Sequence, residues 1–202
     1  LCVVAAFGTT GSTAIDPLSS LAQLCQRENL WLHVDAAFAG SALILPEIRI
    51  WAEGLEGADS FVFNPHKWLM TNFDCSAYYV KEPQTLLNTF ALTPEYLKTH
   101  QDDQVHNYRD WGPQLGRRFR ALKLWFVLRS YGAEGLRQII RQHLDWAQDL
   151  AGKIQAEPDF ELLAPVTFNT LCFRYAPDPH ADLDRLNETL LQTLNRSGEL
   201  FM

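Results

Sequence analysis

Residues 60–69 read Ser-Phe-Val-Phe-Asn-Pro-His-Lys-Trp-Leu, an apolar run that passes directly into a polar turn. A short apolar run followed by Asn-Pro predicts a buried strand that ends at residue 63. The same form occurs at residues 1–10, where the run ends in Gly-Thr-Thr, and at residues 31–37, where it ends in Asp-Ala-Ala. In open α/β sheets, ligands bind beyond the carboxyl ends of the strands. The three turns therefore predict one site at one edge of a sheet.

The segments between these strands predict helices. Asp16 is expected to cap a helix that starts at Pro17, and a short helix is expected at residues 46–54. With a fourth strand at residues 75–80, this alternation predicts an α/β fold with a mostly parallel sheet and right-handed crossovers. The uninterrupted apolar character of residues 1–7 is typical of a strand that is covered on both faces.

The second half of the chain has a different organisation. Residues 82–113 are polar and contain prolines at 83, 94 and 113, which predicts a long functional or mobile loop. Further elements are predicted in this order: helices at 116–131 and 133–157, strands at 160–163 and 167–175, and a helix at 182–195. We expect residues 1–150 to form part of a large domain that includes the loop, and residues 151–202 to begin a smaller α+β domain. The apolar start without methionine and the strand-like end predict a fragment cut at both ends.

Composition narrows the class of protein. The chain has 202 residues, 47% of them hydrophobic, which is enough to bury a core. Its formal net charge of -7 makes a nucleic-acid partner unexpected. No run approaches the roughly 18 apolar residues of a membrane span, and the four cysteines lack a CxxC pair, which indicates reduced thiols in a cytoplasmic protein. The one dense basic cluster is expected to be a solvated or ion-paired helix start: Arg117, Arg118, Arg120 and Lys123.

Two of the predicted turns carry opposite charges, Asp35 and Lys67. Both are expected to be largely buried, where an ordinary ion pair would be costly. A lysine amine can instead form a Schiff base with an aldehyde, and a carboxylate can keep a proton on a pyridine nitrogen. A simple ion pair and a cofactor site both remain open on these grounds.

The sequence gives less support to a metal site or to a nucleophilic cysteine. His33 and His66 could suggest a metal, but no closely spaced ligand motif occurs, so no metal is expected. Cys75 lies in an apolar run and is interpreted as a structural thiol instead of a nucleophile.

Residues 32–40 (Leu-His-Val-Asp-Ala-Ala-Phe-Ala-Gly) and 63–69 resemble the signature segments of the group II pyridoxal-phosphate-dependent amino-acid decarboxylases. Residues 72–77 (Asn-Phe-Asp-Cys-Ser-Ala) and 115–125 most resemble the aromatic-L-amino-acid branch, and the similarity covers essentially the whole chain. The resemblance implies a fold type I large domain with pyridoxal 5'-phosphate as cofactor and an amino acid as substrate. It also implies a homodimer with active sites at the subunit interface. The family's phosphate-binding loop and ring-stacking histidine would lie upstream of residue 1.

The resemblance implies roles for individual residues. Lys67 would hold the cofactor covalently, Asp35 would pair with its ring nitrogen, and Ala37 would pack against one face of the ring. Tyr96 would donate a proton after carbon dioxide leaves, and Gly116 would leave room for a bulky substrate ring. Three further residues would contact the ring, the phosphate or its surroundings: Thr10, Asn64 and His66.

The activity implied by the resemblance is decarboxylation of an aromatic L-amino acid to its amine. Some relatives instead couple decarboxylation to oxidative deamination and make an aldehyde, and they typically carry phenylalanine at the position of Tyr96. Tyr96 therefore favours the amine. The remaining alternative is a non-catalytic scaffold with the same fold, and the retained Lys67 and Asp35 argue against it.

Overall fold

A computed structural model describes residues 1–91, 105–178 and 180–202 and contains a four-stranded main sheet. Its strands, neighbours in chain order, are β1 (Cys2–Ala6), β2 (Trp31–Asp35), β3 (Ser60–Phe63) and β4 (Ala77–Val80). The first three strands are parallel, and β4 runs antiparallel to β3. The prediction of a mostly parallel α/β sheet is confirmed.

The described helices lie between the strands of this sheet and after them in the chain. They are α1 (Leu18–Glu28), α2 (Pro46–Arg49), α3 (Pro65–Trp68), α4 (Gln84–Phe90), α5 (Arg120–Ala156) and α6 (Leu183–Ser197). Short 3-10 turns occupy Ala39–Ile44, Ile50–Ala52, Leu55–Gly57 and Tyr108–Trp111. None of the helices described has the length and apolar character needed to cross a membrane.

Helix α1 begins without the predicted cap. The carboxylate of Asp16 accepts a hydrogen bond from the backbone N of Ala6 at 2.7 Å, and Pro17 occupies the N-cap position. The predicted capping role of Asp16 is therefore wrong, because its side chain binds the end of β1 instead. The helix is followed by Asn29 with φ 51, a left-handed C-cap that asparagine tolerates.

A helix forms inside the segment that was predicted to be a loop. Helix α4 follows Pro83, and Nε2 of Gln84 donates to Oδ1 of Asn88 at 2.9 Å, one turn further along. The prediction of a continuous loop is wrong here, because the half-buried side chains of Leu86 and Leu87 and the hydrogen bond between polar side chains one turn apart stabilise the helix. Residues 92–104, which include Tyr96, lie outside the described residues.

Helix α5 contains the predicted break between two helices. Gly132 has φ 65 and ψ 170, a backbone conformation that favours glycine, and helical geometry resumes beyond it. The first part begins at Arg120, four residues later than the predicted start.

The chain after α5 returns to the core of the main sheet. The predicted strand at 167–175 is reduced to β6 (Phe173–Tyr175), which pairs with β5 (Phe160–Leu162). Phe168 is fully buried instead of pairing in a sheet. Its ring lies 5.7, 5.5 and 6.0 Å from those of Phe7, Trp51 and Trp68. This burial accounts for the shorter strand, while the predicted domain boundary near residue 150 stays a prediction.

The two faces of the main sheet differ in how far they are covered. Leu32 and Val34 are fully buried on the covered face, whereas Val4 is 65% exposed on the opposite face. We call the exposed surface the open face, and it carries Val4, His33, Asp35, Val62 and Tyr78. The prediction that β1 is covered on both faces is wrong for this chain, because the buried cluster that includes Leu18 of α1 lies against the other face.

Candidate functional site

The ends of the first three strands meet at one edge of the sheet. The backbone N of Phe7 donates to the carbonyl of Asp35 at 2.8 Å, and the backbone N of Asn64 donates to the carbonyl of Ala37 at 3.0 Å. Ala37 and Asn64 are themselves half-buried. The structure therefore brings the three predicted polar turns together.

Asp35 is the last residue of β2, and its side chain is exposed on the open face. Its Oδ1 accepts a hydrogen bond from the backbone N of Ala37 at 2.9 Å, which fixes the orientation of the carboxylate. Within the described ranges, Oδ2 has no hydrogen-bond partner. One carboxylate oxygen is therefore available to a protonated nitrogen of a ligand.

Lys67 projects from α3, the single helical turn that follows β3. Its backbone N donates to the carbonyl of Asn64 at 2.9 Å, and its neighbours Pro65 and Trp68 are buried. The Lys67 side chain is exposed, and its amine has no hydrogen-bond or ion-pair partner among the residues that the structure describes. The buried turn thus presents a free amine.

Asp35 and Lys67 do not form the simple ion pair that remained open from the sequence. The expectation that both are buried is wrong for this chain, because the open face leaves them accessible to water. A carboxylate and an amine on adjacent strand ends fit pyridoxal phosphate, which presents a pyridine nitrogen to the first and an aldehyde to the second.

His66 is held against the backbone of Cys75. Nδ1 of His66 lies 2.7 Å from the carbonyl oxygen of Cys75 and 2.9 Å from its backbone N, and the backbone N of His66 donates to the same carbonyl at 3.3 Å. Nε2 is therefore the ring nitrogen left for a ligand. Cys75 itself is buried, and burial raises the pKa of its thiol, which supports the structural interpretation of this cysteine.

The turn after β1 assigns different tasks to its two threonines. Oγ1 of Thr9 accepts from the backbone N of Ala14 at 3.0 Å, whereas Thr10 is exposed and has no side-chain hydrogen bond in the described segments. Gly8 has φ 86, and a Cβ added there would lie 2.4 Å from the Cβ of Ala39. Gly8 and Thr9 thus shape the turn, and Thr10 is available to a ligand.

The segment that contains Gly116 is tied to the site through Asp74. The carboxylate of Asp74 accepts from Arg118 and from Nε of Arg120, the latter at 3.0 Å. Desolvation opposes ionisation of Asp74, but the hydrogen bond from Arg120 and the two positive charges outweigh it, so the pKa of Asp74 lies below its usual value. The predicted ion-paired helix start is thus observed for Arg118 and Arg120. Gly116 is exposed, and an added Cβ would contact nothing within 4 Å.

Trp68, which follows Lys67, received no role from the sequence. Its buried indole stacks on Phe38 with ring centroids 4.9 Å apart and planes 2° apart. Its Nε1 donates to Nδ1 of His143 at 3.0 Å, across 75 residues of sequence. Aromatic residues beside both signature turns were a visible signal of this packing, but nothing in the sequence indicated His143 as the partner.

No group of three or more metal-binding side chains occurs within residues 1–91, 105–178 and 180–202.

Comparison with known proteins adds independent findings. The family described as the pyridoxal-dependent decarboxylase conserved domain matches residues 1–176. Tyrosine decarboxylase 1 of Narcissus pseudonarcissus is 45% identical over 96% of this chain and 40% of its own length. Phenylacetaldehyde synthase of a Rosa hybrid cultivar is 45% identical over 100% of this chain and 42% of its own length. The solved structure of Oryza sativa TDC with PLP and tryptamine has a TM-score of 0.95 and 39% identity, over 98% of this chain and 42% of that one.

These similarities establish the fold class of the chain and the share of its relatives' length that it spans. The match to the Oryza sativa structure confirms the predicted fold class, an α/β fold of the fold type I pyridoxal-phosphate kind. The chain spans about 40% of the length of the curated relatives that it matches. The tyrosine decarboxylase and the phenylacetaldehyde synthase are both 45% identical to this chain, so overall similarity does not choose between the two.

Proposed function

The chain belongs to the pyridoxal-dependent decarboxylase family, as predicted, and on that premise we propose that the whole protein decarboxylates an aromatic L-amino acid to its amine. The observation that carries this proposal is the exposed amine of Lys67 and the oriented carboxylate of Asp35 at the ends of two neighbouring strands. The tyrosine decarboxylase and the tryptamine complex among the similar proteins support an aromatic substrate.

The cofactor of this reaction is pyridoxal 5'-phosphate. When bound, it supplies an aldehyde and an electron-accepting pyridine ring. Lys67 would hold the cofactor through its Nζ, and the second carboxylate oxygen of Asp35 would hold a proton on the ring nitrogen. Four further residues would complete the binding set, with Ala37 against the ring face and Thr10, Asn64 and His66 around the ring and phosphate.

Tyr96 decides the outcome of the reaction in this proposal. A tyrosine hydroxyl in free solution is protonated at neutral pH, and in this proposal the hydroxyl of Tyr96 gives a proton to the substrate α-carbon after carbon dioxide leaves. The aldehyde-forming alternative, which the rose synthase keeps in view, typically goes with phenylalanine at this position. Tyr96 therefore favours the amine.

Other parts of the proposal follow from the resemblance and from composition. Gly116 leaves space for a bulky substrate ring, and the open position around its Cα agrees with this. The protein is proposed to act in the cytoplasm as a homodimer with its active sites at the subunit interface.

Product analysis of the full-length protein tests the proposal. Each aromatic L-amino acid is supplied under air, and amine, aldehyde, ammonia and peroxide are quantified by mass spectrometry and coupled assays. The unmodified protein should release amine, and Tyr96→Phe should lose about 10²-fold or more of that rate while aldehyde, ammonia and peroxide appear. Tyr108→Phe, which changes a second tyrosine of the predicted loop, is the matched control and should keep amine production.

Two results would contradict the proposal. Absence of amine from every aromatic substrate would remove the assigned activity. Amine formation by Tyr96→Phe at close to the parental rate would remove Tyr96 as the proton donor.

A further inference from the structure

The turn that carries Lys67 has little stability of its own. Helix α3 contains four residues, and Asn64 makes no side-chain capping bond at its start. Isolated helices shorter than about 12 residues are marginal in water. The position of Lys67 therefore depends on what holds its buried neighbours.

Trp68 is the larger of those neighbours, and aromatic packing holds it on two sides. It is 3% exposed, stacks on Phe38, and meets the Phe168 ring edge-on at 6.0 Å and 87°. Stacked rings can slide and turn in their planes at small cost, so these contacts fix the plane of the indole better than its rotation. The bond from Nε1 to His143 is the directional contact.

This bond also fixes the state of His143. An indole N–H can only donate, so Nδ1 of His143 must accept, and the proton of the neutral ring lies on Nε2. A buried N–H that loses its acceptor is unfavourable. Without His143, the Trp68 indole would rotate so that its N–H meets another acceptor or water. This rotation would displace the adjacent Lys67.

We propose that His143, on helix α5, is a positioning residue that holds Lys67 in its cofactor-binding position through the Trp68 indole. The inference rests on the proposed function, since it assumes that Lys67 attaches to pyridoxal phosphate. If only a fraction of molecules holds the turn correctly, the apparent dissociation constant of the cofactor rises by the inverse of that fraction.

Two substitutions at His143 separate this role from a general contribution to α5. The side-chain oxygen of asparagine sits where Nδ1 sits, one atom beyond Cγ, whereas that of glutamine sits one atom further out. Helix propensity favours glutamine over asparagine. A role limited to helix stability therefore predicts that Gln is the better replacement, and a role through the Trp68 bond predicts that Asn is better.

The measurement is a titration of cofactor-free full-length protein with pyridoxal phosphate, followed by absorbance, beside urea unfolding of each variant. We expect His143→Asn to bind within about threefold of the unmodified protein and His143→Gln about tenfold more weakly, as when one molecule in ten is competent. Trp68→Phe removes the donor and should also weaken binding about tenfold, after which Asn and Gln at position 143 should be equivalent. If a His143 variant does not fold, Trp68→Phe alone tests the bond from the donor side.

The possible failures are distinguishable. If the unmodified protein does not bind pyridoxal phosphate, the proposed function fails. If it binds but the Gln variant equals or exceeds the Asn variant, or if Trp68→Phe binds normally, the positioning role of His143 is overturned while the proposed function stands.

Discussion

The covered and open faces of the main sheet are made from the same strands but carry different kinds of residue. On the covered face, Ala5, Leu32 and Val34 are fully buried. On the open face, Asp35 ends β2 as an exposed carboxylate whose Oδ1 is fixed by the Ala37 amide. Because side chains alternate along a strand, one register places both sets. The packing that fixes the strand ends therefore lies on one face, and the proposed chemistry lies on the other.

The largest expected effect separates the faces at Asp35. Asp35→Asn keeps the shape of the side chain but removes the charge that, in the proposed function, holds a proton on the cofactor ring. Turnover of the full-length protein should fall about 10²-fold or more, since each 1.4 kcal/mol or so of lost transition-state stabilisation costs tenfold. The urea midpoint of the cofactor-free protein should stay close to that of the unmodified protein.

Steady-state kinetics and urea unfolding of the same preparation decide this. Near-normal turnover would make Asp35 a structural residue. A large loss of stability with intact turnover would reverse the roles assigned to the two faces.

Leu32→Ala tests the covered face in the same way, because Leu32 is a fully buried residue of β2 on that face. Removal of a fully buried leucine side chain should lower the free energy of unfolding by roughly 2–5 kcal/mol, while the turnover of the folded fraction changes little. Leu163→Ala is a matched control, since Leu163 is 56% exposed and exposed sites usually change stability by about 0.5 kcal/mol or less. Equal losses for the two variants would show that burial in this sheet does not set its stability.

The sequence predicted the elements whose signals are local. The apolar runs predicted β1 to β3, and the predicted helices at 116–131 and 133–157 are separated where α5 departs from helical geometry, at Gly132. The helix predicted at 182–195 is α6, and its N-cap Asp182 accepts from the backbone N of Arg185 at 3.2 Å. Each of these depends on a few adjacent residues. Family membership was also recognisable from the short motifs around Asp35 and Lys67.

The elements that the sequence missed depend on partners far along the chain. Asp16 was predicted to cap a helix, but its carboxylate accepts a hydrogen bond from the backbone N of Ala6. Phe168 was predicted to lie in a strand, but its ring packs in the aromatic core against Phe7. The bond between Trp68 and His143 crosses 75 residues and has no local signal. The exposure of Asp35 was missed because an apolar run does not say what covers each face of a strand.

The smallest expected effect concerns Asp74, which belongs to neither face of the main sheet. This carboxylate lies beyond the strands, between Arg118 and Arg120, and its pKa is lowered in the folded chain because the hydrogen bond from Arg120 and the two positive charges outweigh desolvation. A lowered folded pKa contributes stability that is present above the unfolded value of about 3.9 and is lost as pH falls through the folded value.

Asp74→Asn should therefore be less stable than the unmodified protein at neutral pH, and the difference should shrink as pH falls below about 4. The side chains of Asp74, Arg118 and Arg120 are partly exposed, so the loss of unfolding free energy should be smaller than that of Leu32→Ala. Urea midpoints across a pH series measure it, with Asp145→Asn on helix α5 as the control, because no ion pair of Asp145 occurs among the described residues. A gap that stays constant with pH would mean that Asp74 holds the Gly116 segment by shape and hydrogen bonding, without its charge.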